Sequence, residues 1–378
     1  MTSKTHFEFA FLEACARAEA ETESFLSVAA ERLPAPLCEE AIGRITQWES
    51  YQPTPLVPLP GLAGALGVAK LTCKDEGPRF GLGSFKALGG AYAVDVLHRG
   101  HEGPLTVACA TEGNHGRSVA WGARQAGARC IIFLHENVSA AREQAIAAYG
   151  AEIRRVPGNY DDAVLNCAET AEKEGWTIVS DTTWPGYETI PTWVMAGYSV
   201  IVKELLEQQD EAPTHVFLQA GVGGMAAAVM AAFAHFGSQP LPRFITVEPR
   251  NAACILQSVR HAGQLETVKG SLKTVSAGLA CGAPSPLALS IIYPGIHAAL
   301  AIDDEAIVDS MRRLGKPKHG DQAVVSGASG AAGLGGLIAA LRDTALCEML
   351  ELNASSRVLF VNTEGDTDPD GYRKLVNG

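Results

Sequence analysis

The sequence predicts an α/β protein in which doubly wound, parallel sheets are covered by helices. From Pro104 onward, short apolar strands alternate with helices, and this alternation is typical of parallel sheets. Glycine-rich or polar loops follow four of the strands, at the carboxyl ends where such sheets bind ligands. The chain has 378 residues, of which 47% are hydrophobic, so about two domains are expected.

The chain before the first repeated strand is predicted to be helical as far as about Glu49. The segment YQPTPLVPLPGL is expected to be extended, because proline fixes φ and removes a hydrogen-bond donor. KLTCKDE is predicted to be a strand and PRFGLGSF a glycine-punctuated loop. A helix is then expected to begin near Lys86.

Two groups of strands predict two domains. LTVACAT, ARCIIFLHE, EIRRVP and WTIVSDT alternate with helices and predict a smaller αβ domain over residues 97–203. THVFLQAG, RFITVEP and SRVLFVNTEGDTD predict a larger domain, built from residues 1–96 and 204–378. The smaller domain would therefore be inserted in the larger one.

Composition excludes several classes of protein. The net charge is −12, from 30 basic and 42 acidic residues, so neither nucleic acid nor a membrane surface is an expected partner. The N-terminal sequence does not resemble a secretory signal, and no run of about 18 apolar residues occurs. Nine scattered cysteines without metal-type spacing indicate reduced thiols and no metal site. A cytoplasmic protein is predicted.

Lys86 lies in GSFKALGG, between the glycine loop and the predicted helix. The positive end of a helix disfavours an ammonium group, so we expect the helix start to lower the pKa of Lys86. An amine with a lowered pKa suits imine formation. Taken alone, the same pattern also fits a solvated surface lysine.

The loop AGVGGM follows an apolar strand and precedes a helix. Backbone N–H groups of Gly221, Val222, Gly223, Gly224 and Met225 are placed to bind an anion at the helix N-terminus. The spacing fits one compact phosphate better than the GxGxxG signature of a dinucleotide site. A tight turn without a ligand is the alternative.

The loop TEGNHG supplies a second set of polar groups. Asn114 can bind a phenolate oxygen, and the N–H groups around it, from Thr111, Gly113 and His115, can hold a substrate carboxylate. Glu112 is a candidate acid or base. A structural role is the alternative for His115.

Two further candidates follow strands. Asp181 can accept a proton from Cα or bind an ammonium group, although capping of the next turn is an alternative. The hydroxyl of Thr363 can contact a ring nitrogen, although a plain turn residue would occupy the same place.

Together these segments resemble the fold-type II enzymes that depend on pyridoxal 5′-phosphate (PLP), a fold similar to the tryptophan synthase β chain. The resemblance is closest to the diaminopropionate ammonia-lyase family. It is carried by KDEGPRFGLGSFKALGGAYA, TEGNHGRSVAWGARQ, DTTWPGYETIPTWVMAGY, QAGVGGMA and NTEGDTD, in order along nearly the whole chain. Two doubly wound αβ domains with the cofactor between them are the implied fold.

The resemblance also implies roles for individual residues. Lys86 would carry PLP as a Schiff base, and residues 221–225 of the larger domain would hold its phosphate. Asn114 would meet the O3′ atom of the cofactor, and Thr363 its ring nitrogen. Asp181 would act on the substrate.

The activity implied is α,β-elimination from 2,3-diaminopropionate or a close analogue, giving pyruvate and ammonia, in a homodimer. Lys86, Glu112 and Asp181 would be the catalytic residues. The family usually has aspartate where this chain has Glu112, and a reach changed by about 1 Å can cost on the order of 100-fold in rate. Dehydration of serine, threonine or another 3-hydroxy amino acid therefore stays open.

Two alternatives lie outside this class. A nicotinamide-dependent oxidoreductase would require a dinucleotide fingerprint, which the sequence lacks. A non-catalytic amino-acid sensor would be expected to lose Lys86 or the glycine loop. Separately, Cys254 and Cys281 fall in segments that match the family, and a disulfide between them is a hypothesis.

Overall fold

The computed structural model describes residues 12–17, 20–111 and 113–378. These residues form eleven strands and fifteen α-helices. The strands are β1 (Leu12–Ala16), β2 (Leu56–Pro58), β3 (Lys70–Asp75), β4 (Thr106–Ala110), β5 (Arg129–His135), β6 (Glu152–Val156), β7 (Thr177–Ile178), β8 (His215–Gln219), β9 (Arg243–Pro249), β10 (Ile296–Ile302) and β11 (Arg357–Asn362).

Helices cover both sheets. They are α1 (Thr22–Arg32), α2 (Ala35–Ile45), α3 (Pro60–Leu66), α4 (Lys86–Gly100), α5 (Asn114–Ala126), α6 (Ala140–Ala147), α7 (Tyr160–Glu174), α8 (Thr189–Gln208), α9 (Gly224–Phe236), α10 (Cys254–Arg260), α11 (Pro286–Gly295), α12 (Asp304–Gly315), α13 (Ala328–Ala340), α14 (Thr344–Leu350) and α15 (Pro369–Asn377). Within the described ranges, no helix combines the length and apolar character needed to cross a bilayer.

The larger sheet has seven strands in the order β1-β10-β9-β8-β11-β3-β2. The five inner strands run parallel, and both edge strands are antiparallel to their neighbours. Every residue of β8 is buried, as expected for a strand with helices on both faces of its sheet. This sheet therefore supplies the rigid core of the molecule.

The smaller sheet has four parallel strands in the order β6-β5-β4-β7. Its strands occupy residues 106–178, between β3 and β8 of the larger sheet in chain order. The α/β class predicted from the strand–helix alternation is thus confirmed.

Close packing fixes the helix that begins at Lys86. A Cβ atom added to Gly122 on α5 would lie 2.6 Å from the Ala91 Cα atom of α4. A Cβ atom added to Gly197 on α8 would lie 2.1 Å from the Leu88 carbonyl oxygen of α4. Since real side chains do not approach backbone so closely, α4 is held in backbone contact on two sides.

The structure differs from the sequence-based prediction near the N-terminus. The chain was expected to be helical there, but Leu12–Ala16 form an edge strand that pairs with β10. Pairing along the larger sheet overrides local helix propensity in this segment. The partner strand, β10, was not predicted. WTIVSDT was predicted to be a full strand, but the strand covers only Thr177–Ile178, and the chain from Asp181 onward lines the cavity instead.

Candidate active site

A cavity of about 560 Å³ lies where the carboxyl ends of the strands of both sheets meet. The four loops that the sequence pattern selected all line it, together with a further segment over residues 272–284. The lining includes Lys86, Thr111, Gly113, Asn114, His115, Asp181, Gly221, Val222, Gly223, Gly224, Met225 and Thr363. Lys86 and the glycine loop after residue 220 therefore share one cavity. Glu112 lies outside the described residues, so its predicted role stays a sequence-based prediction.

Lys86 is the first residue of α4 and pairs with Asp181. Its Nζ atom contacts the Oδ2 atom of Asp181, and each side chain is 22% exposed. Burial acts to lower the pKa of Lys86, but the Asp181 carboxylate outweighs it and holds the pKa above its ordinary value. The prediction of a lowered pKa is therefore wrong for this pairing, because an adjacent carboxylate is stronger than a helix end.

Asp181 is affected in the opposite direction. Burial acts to raise the pKa of its carboxyl group, but Lys86 and His115 outweigh it and hold the pKa well below its ordinary value. The pair is thus a carboxylate and an ammonium group. As a pair, they form the main charged feature beside the glycine loop.

His115 lies in the first turn of α5 and is buried. Its Nε2 atom is 2.9 Å from the Val179 carbonyl oxygen. Its Nδ1 atom is 3.8 Å from the Oδ2 atom of Asp181 and has no hydrogen-bond partner in the described chain. His115 therefore combines a fixed structural bond with one nitrogen that faces the Asp181 carboxylate.

The glycine loop has the form expected of an anion site. Gly223 adopts a left-handed conformation, with φ of +94°, and α9 begins at the next residue. A Cβ atom at Gly221 would lie 3.0 Å from the Cys281 Sγ atom, whereas one at Gly224 would have no atom nearer than 3.7 Å. The backbone of Gly224 is therefore accessible from the cavity, at the N-terminus of a 13-residue helix.

Asn114 and its loop are held by neighbouring polar groups. Its Nδ2 atom donates to the Oε2 atom of Glu364 at 2.6 Å. The other oxygen of Glu364 accepts from the Ser329 backbone N–H at 3.1 Å. The Thr111 hydroxyl oxygen accepts from the N–H groups of Gly113 and Gly116, at 3.2 Å each. Thr111 therefore shapes the loop, and its hydroxyl is occupied in doing so.

Thr363 is oriented by Gln219, the last residue of β8. The Nε2 atom of Gln219 donates to the Thr363 Oγ1 atom at 2.9 Å and to the Val361 carbonyl oxygen at 2.8 Å. Because Oγ1 accepts this bond, the hydroxyl hydrogen of Thr363 is available to an acceptor in the cavity. This geometry is compatible with the predicted contact to a ring nitrogen.

A cluster of four buried charges lies next to the loop that leads to Lys86. We call it the support cluster: Lys74, Glu76, Arg79 and Glu204, each with a fully buried side chain. Arg79 binds both carboxylates through bonds of 2.7–2.9 Å. The cluster ties the loop before α4 to helix α8, so it fixes the path of the chain into Lys86.

Several polar residues of the cavity were not singled out from the sequence, among them Tyr198, Gln219, Ser329 and Glu364. Gln219 could have been found, because it is a polar residue at the end of an otherwise apolar strand. Glu364 follows Thr363 directly in NTEGDTD. Tyr198 and Ser329 lie within helices, where no local signal distinguishes them.

The Cys254–Cys281 hypothesis is not supported, because the described residues contain no disulfide bond.

Comparisons with known proteins agree with this site. Residues 48–364 match the family described as pyridoxal-phosphate dependent enzyme. Diaminopropionate ammonia-lyase of Escherichia coli (strain K12) is 41% identical over 349 residues, covering 86% of this chain and 87% of that protein. The crystal structure of the holo form of the Escherichia coli enzyme matches with a TM-score of 0.87 and 36% identity, covering 97% of each chain. The same enzyme in complex with D-serine gives a TM-score of 0.88 at the same identity and coverage.

Proposed function

The chain belongs to the pyridoxal-phosphate dependent enzymes, and from that premise we propose that it converts 2,3-diaminopropionate, or a close analogue, to pyruvate and ammonia. The observation that carries the proposal is one cavity joining Lys86, Asp181 and the glycine loop, in a chain 41% identical to a diaminopropionate ammonia-lyase. Membership of this family also separates the chain from nicotinamide-dependent oxidoreductases.

The residues around the cavity fit the cofactor. Tyr198 Oη, Ser329 Oγ and His115 Nδ1 are buried polar atoms of lining residues without partners in the described chain. Buried polar atoms are normally hydrogen-bonded, so a polar molecule is expected to satisfy some of them. The glycine loop offers backbone N–H groups to one phosphate, and Lys86 offers the amine for a covalent bond.

When bound, the cofactor supplies an electron sink that acidifies the Cα–H bond of an attached amino acid. Lys86 would hold the cofactor and, once released from it, is placed to exchange a proton with Cα. Residues 221–225 would bind the phosphate, and Asn114 the phenolate oxygen. The Thr363 hydroxyl, directed by Gln219, would donate to the ring nitrogen.

Asp181 supports the choice of a diamine substrate. Its carboxylate already accepts one ammonium group, that of Lys86. When Lys86 is bonded to the cofactor, the carboxylate can accept the β-ammonium group of 2,3-diaminopropionate instead. It would thereby orient the leaving amine. Glu112 would act as a further acid or base, and Thr111, Gly113 and His115 would surround the substrate.

The test is turnover of 2,3-diaminopropionate, measured as pyruvate and ammonia, by the wild-type holoenzyme and by Lys86→Ala. We expect two molecules of ammonia to be released per pyruvate, one from each amine of the substrate, and a rate for the variant at the uncatalysed background. The wild type should also have a visible absorbance band that the variant lacks. Ammonia release by the wild type no faster than by the variant would reject the proposal.

A dehydratase acting on serine, threonine or another 3-hydroxy amino acid is the second candidate. One observation favours it: the Escherichia coli neighbour was crystallised with D-serine. The resemblance points the same way, because it implies aspartate where this chain has Glu112. Rates on 2,3-diaminopropionate and on each enantiomer of serine and threonine separate the candidates. A higher kcat/KM on a hydroxy amino acid than on the diamine would replace the first proposal by the second.

The same proposal covers the assembly and location of the enzyme. A homodimer in the cytoplasm fits an enzyme of amino-acid catabolism with this charge. The two sheets support a division into a PLP-binding domain of residues 1–96 and 204–378 and an inserted domain of residues 97–203. A mass of about twice 39.7 kDa by light scattering is the expected result for the holoenzyme.

A further inference from the structure

One oxygen atom of the active site faces two nitrogen atoms. The Oδ2 atom of Asp181 contacts the Lys86 Nζ atom and lies 3.8 Å from the His115 Nδ1 atom. Only the first contact is a hydrogen bond. A shift of about 1 Å would bring the second pair within hydrogen-bond distance.

The other nitrogen of the ring fixes which hydrogen His115 carries. A backbone carbonyl can only accept, so the Nε2 atom bonded to Val179 must carry a hydrogen. In the neutral ring, Nδ1 therefore presents a lone pair toward the Asp181 carboxylate. Two acceptors then face each other, and only a protonated His115 can bond to Asp181.

Covalent use of Lys86 changes the partners of Asp181. An ammonium group has three hydrogens, whereas an amine doubly bonded to carbon has at most one. Asp181, which is 22% exposed, then lacks its ammonium partner, and a poorly solvated carboxylate without a partner is costly. His115 is the nearest described side chain that can gain a positive charge for it.

We propose that His115 is a positioning residue that acts through Asp181, supplying a positive partner when Lys86 is bonded to the cofactor and yielding to the substrate's β-ammonium group. The proton on Nδ1 comes from solvent through the cavity and returns there when the diamine binds. His115 thereby keeps Asp181 ionised and in place between turnovers. The β-ammonium part of this inference rests on the proposed function.

The charges around His115 agree with this role. Burial lowers the pKa of His115, the Asp181 carboxylate raises it, and the Lys86 ammonium group lowers it further. Loss of the Lys86 charge must therefore raise it. The other titratable groups near Asp181 and Lys86 are Cys109, Tyr187, Tyr198 and, beside Lys86, Cys281. Burial raises the pKa of Cys109, Tyr187 and Tyr198, so these three stay neutral near pH 7.

The first test follows the His115 ring by NMR in protein with ¹³C-labelled histidine, and needs neither substrate nor turnover. Spectra of His115→Gln assign the signal. In cofactor-free Lys86→Met, the titration midpoint of His115 should rise by about one pH unit or more relative to the cofactor-free wild type, in which Lys86 is an ammonium group. The wild-type holoenzyme, in which Lys86 is bonded to the cofactor, should share the raised midpoint. In the double variant Lys86→Met/Asp181→Asn, the midpoint should be lower than in Lys86→Met, because the carboxylate that favours the protonated ring is gone. A midpoint that is the same in all three proteins would overturn the inference and leave His115 a purely structural residue.

The second test compares pH profiles of kcat/KM for wild type and His115→Gln. Protonated His115 competes with the diamine for Asp181, so the acid limb should move to lower pH in the variant with 2,3-diaminopropionate. With serine, which has no β-ammonium group, the acid limb should not move in that direction. If serine is not turned over, the pH dependence of its inhibition constant is compared instead. Because the wild type and the variant are compared on the same substrate, the effect of protonation of the substrate itself cancels.

His235→Gln is the matched control. His235 also bonds a backbone carbonyl through Nε2, to Leu33 at 2.8 Å, but it lies outside the cavity lining. Its replacement should change neither profile. An equal shift for both substrates in His115→Gln would overturn the inference. Absence of diamine turnover in the wild type would reject the proposed function alone, since the NMR midpoints still decide the role of His115.

Discussion

The support cluster and the group of titratable side chains around Lys86 differ in how completely their members are hydrogen-bonded. The support cluster has two cations and two anions, with no exposed side chain. The Lys74 ammonium group by itself makes three hydrogen bonds, donating to the Thr54 carbonyl oxygen, Glu204 and Gln208 at 2.7–2.9 Å. The active-site group, Lys86, Asp181 and His115, contains the Lys86–Asp181 ion pair and one ring nitrogen with no hydrogen-bond partner among the described residues.

The difference shows what each group can do. A charge whose hydrogen-bonding capacity is filled can leave its partners only at a cost of several kcal/mol, so the support cluster fixes geometry. A charge with unfilled capacity can change partners during a reaction. The chain therefore places rigid charges outside the cavity and exchangeable ones inside it. We therefore expect Lys74 and Lys86, only twelve positions apart, to have opposite roles.

Replacement of Lys86 should give the largest effect on function. Lys86→Met removes the amine that would bind the cofactor, so kcat/KM should fall by about 10³-fold or more, with loss of the visible absorbance band. The free energy of unfolding, measured with urea, should change by less than about 1 kcal/mol, since this ion pair is partly exposed. Strong destabilisation instead would show that Lys86 belongs with the rigid charges.

Replacement of Lys74 should give the reverse pattern. Lys74→Met leaves Glu204 and its neighbours with an uncompensated negative charge in the core, which should lower the free energy of unfolding by about 3–5 kcal/mol. The folded fraction should keep its cofactor absorbance. Lys203→Met is the control, because Lys203 forms an exposed pair with Glu207 on the same helix as Glu204, and its loss should cost less than about 0.5 kcal/mol.

Removal of one active-site charge should reduce turnover more than stability. Asp181→Asn keeps the shape of the side chain but cannot pair with an ammonium group, so kcat/KM for the diamine should fall by about 100-fold. A smaller loss is expected with serine. Asp309→Asn, which removes a carboxylate paired with Arg313 on α12 and outside the cavity lining, should leave both rates unchanged. Equal losses on the two substrates would assign Asp181 to the Cα proton instead.

Acid should weaken the support cluster by a smaller amount. Burial acts to raise the pKa of Glu204, but Arg79 and Lys74 outweigh it and hold the pKa below the ordinary value of 4.5. The unfolded chain therefore binds more protons than the folded one below about pH 4.5, and stability contributed by Glu204 is lost as the pH falls through the folded pKa. Urea unfolding should show a loss of about 2 kcal/mol attributable to this group.

Glu204→Gln is the reference for that measurement. The variant cannot titrate at this position, so the change in its unfolding free energy between neutral and acid pH should be smaller than that of the wild type. Identical changes in both proteins would place the acid sensitivity in other carboxylates.

Local sequence patterns predicted most of the site because its residues stand at strand ends. Asn114, Gly221–Met225 and Thr363 each follow an apolar strand, and parallel strands bring their carboxyl ends to one edge. The helix start at Lys86 was also visible, from the glycine loop before it. These features depend on a few neighbouring residues.

Long-range contacts were not predictable in the same way. Asp181 is 95 positions from Lys86, and only the folded chain shows that its carboxylate reverses the expected pKa shift. The charged residues at the end of KLTCKDE and at the start of PRFGLGSF gave no sign of burial, yet Lys74, Glu76 and Arg79 are fully buried. Their partner, Glu204, is on a helix more than 120 residues later. No single window of sequence contains both halves of such a contact.

The position of β11 has a consequence for how the protein is made. It is the last of the eleven strands to leave the ribosome, yet it lies between β8 and β3 in the middle of the larger sheet. Residues 106–178, which form the smaller sheet, are complete long before this, and N-terminal units commonly fold first during synthesis. The larger sheet must wait with an open gap, so Thr363 can join the cavity, and the cavity can mature, only after translation has passed residue 363.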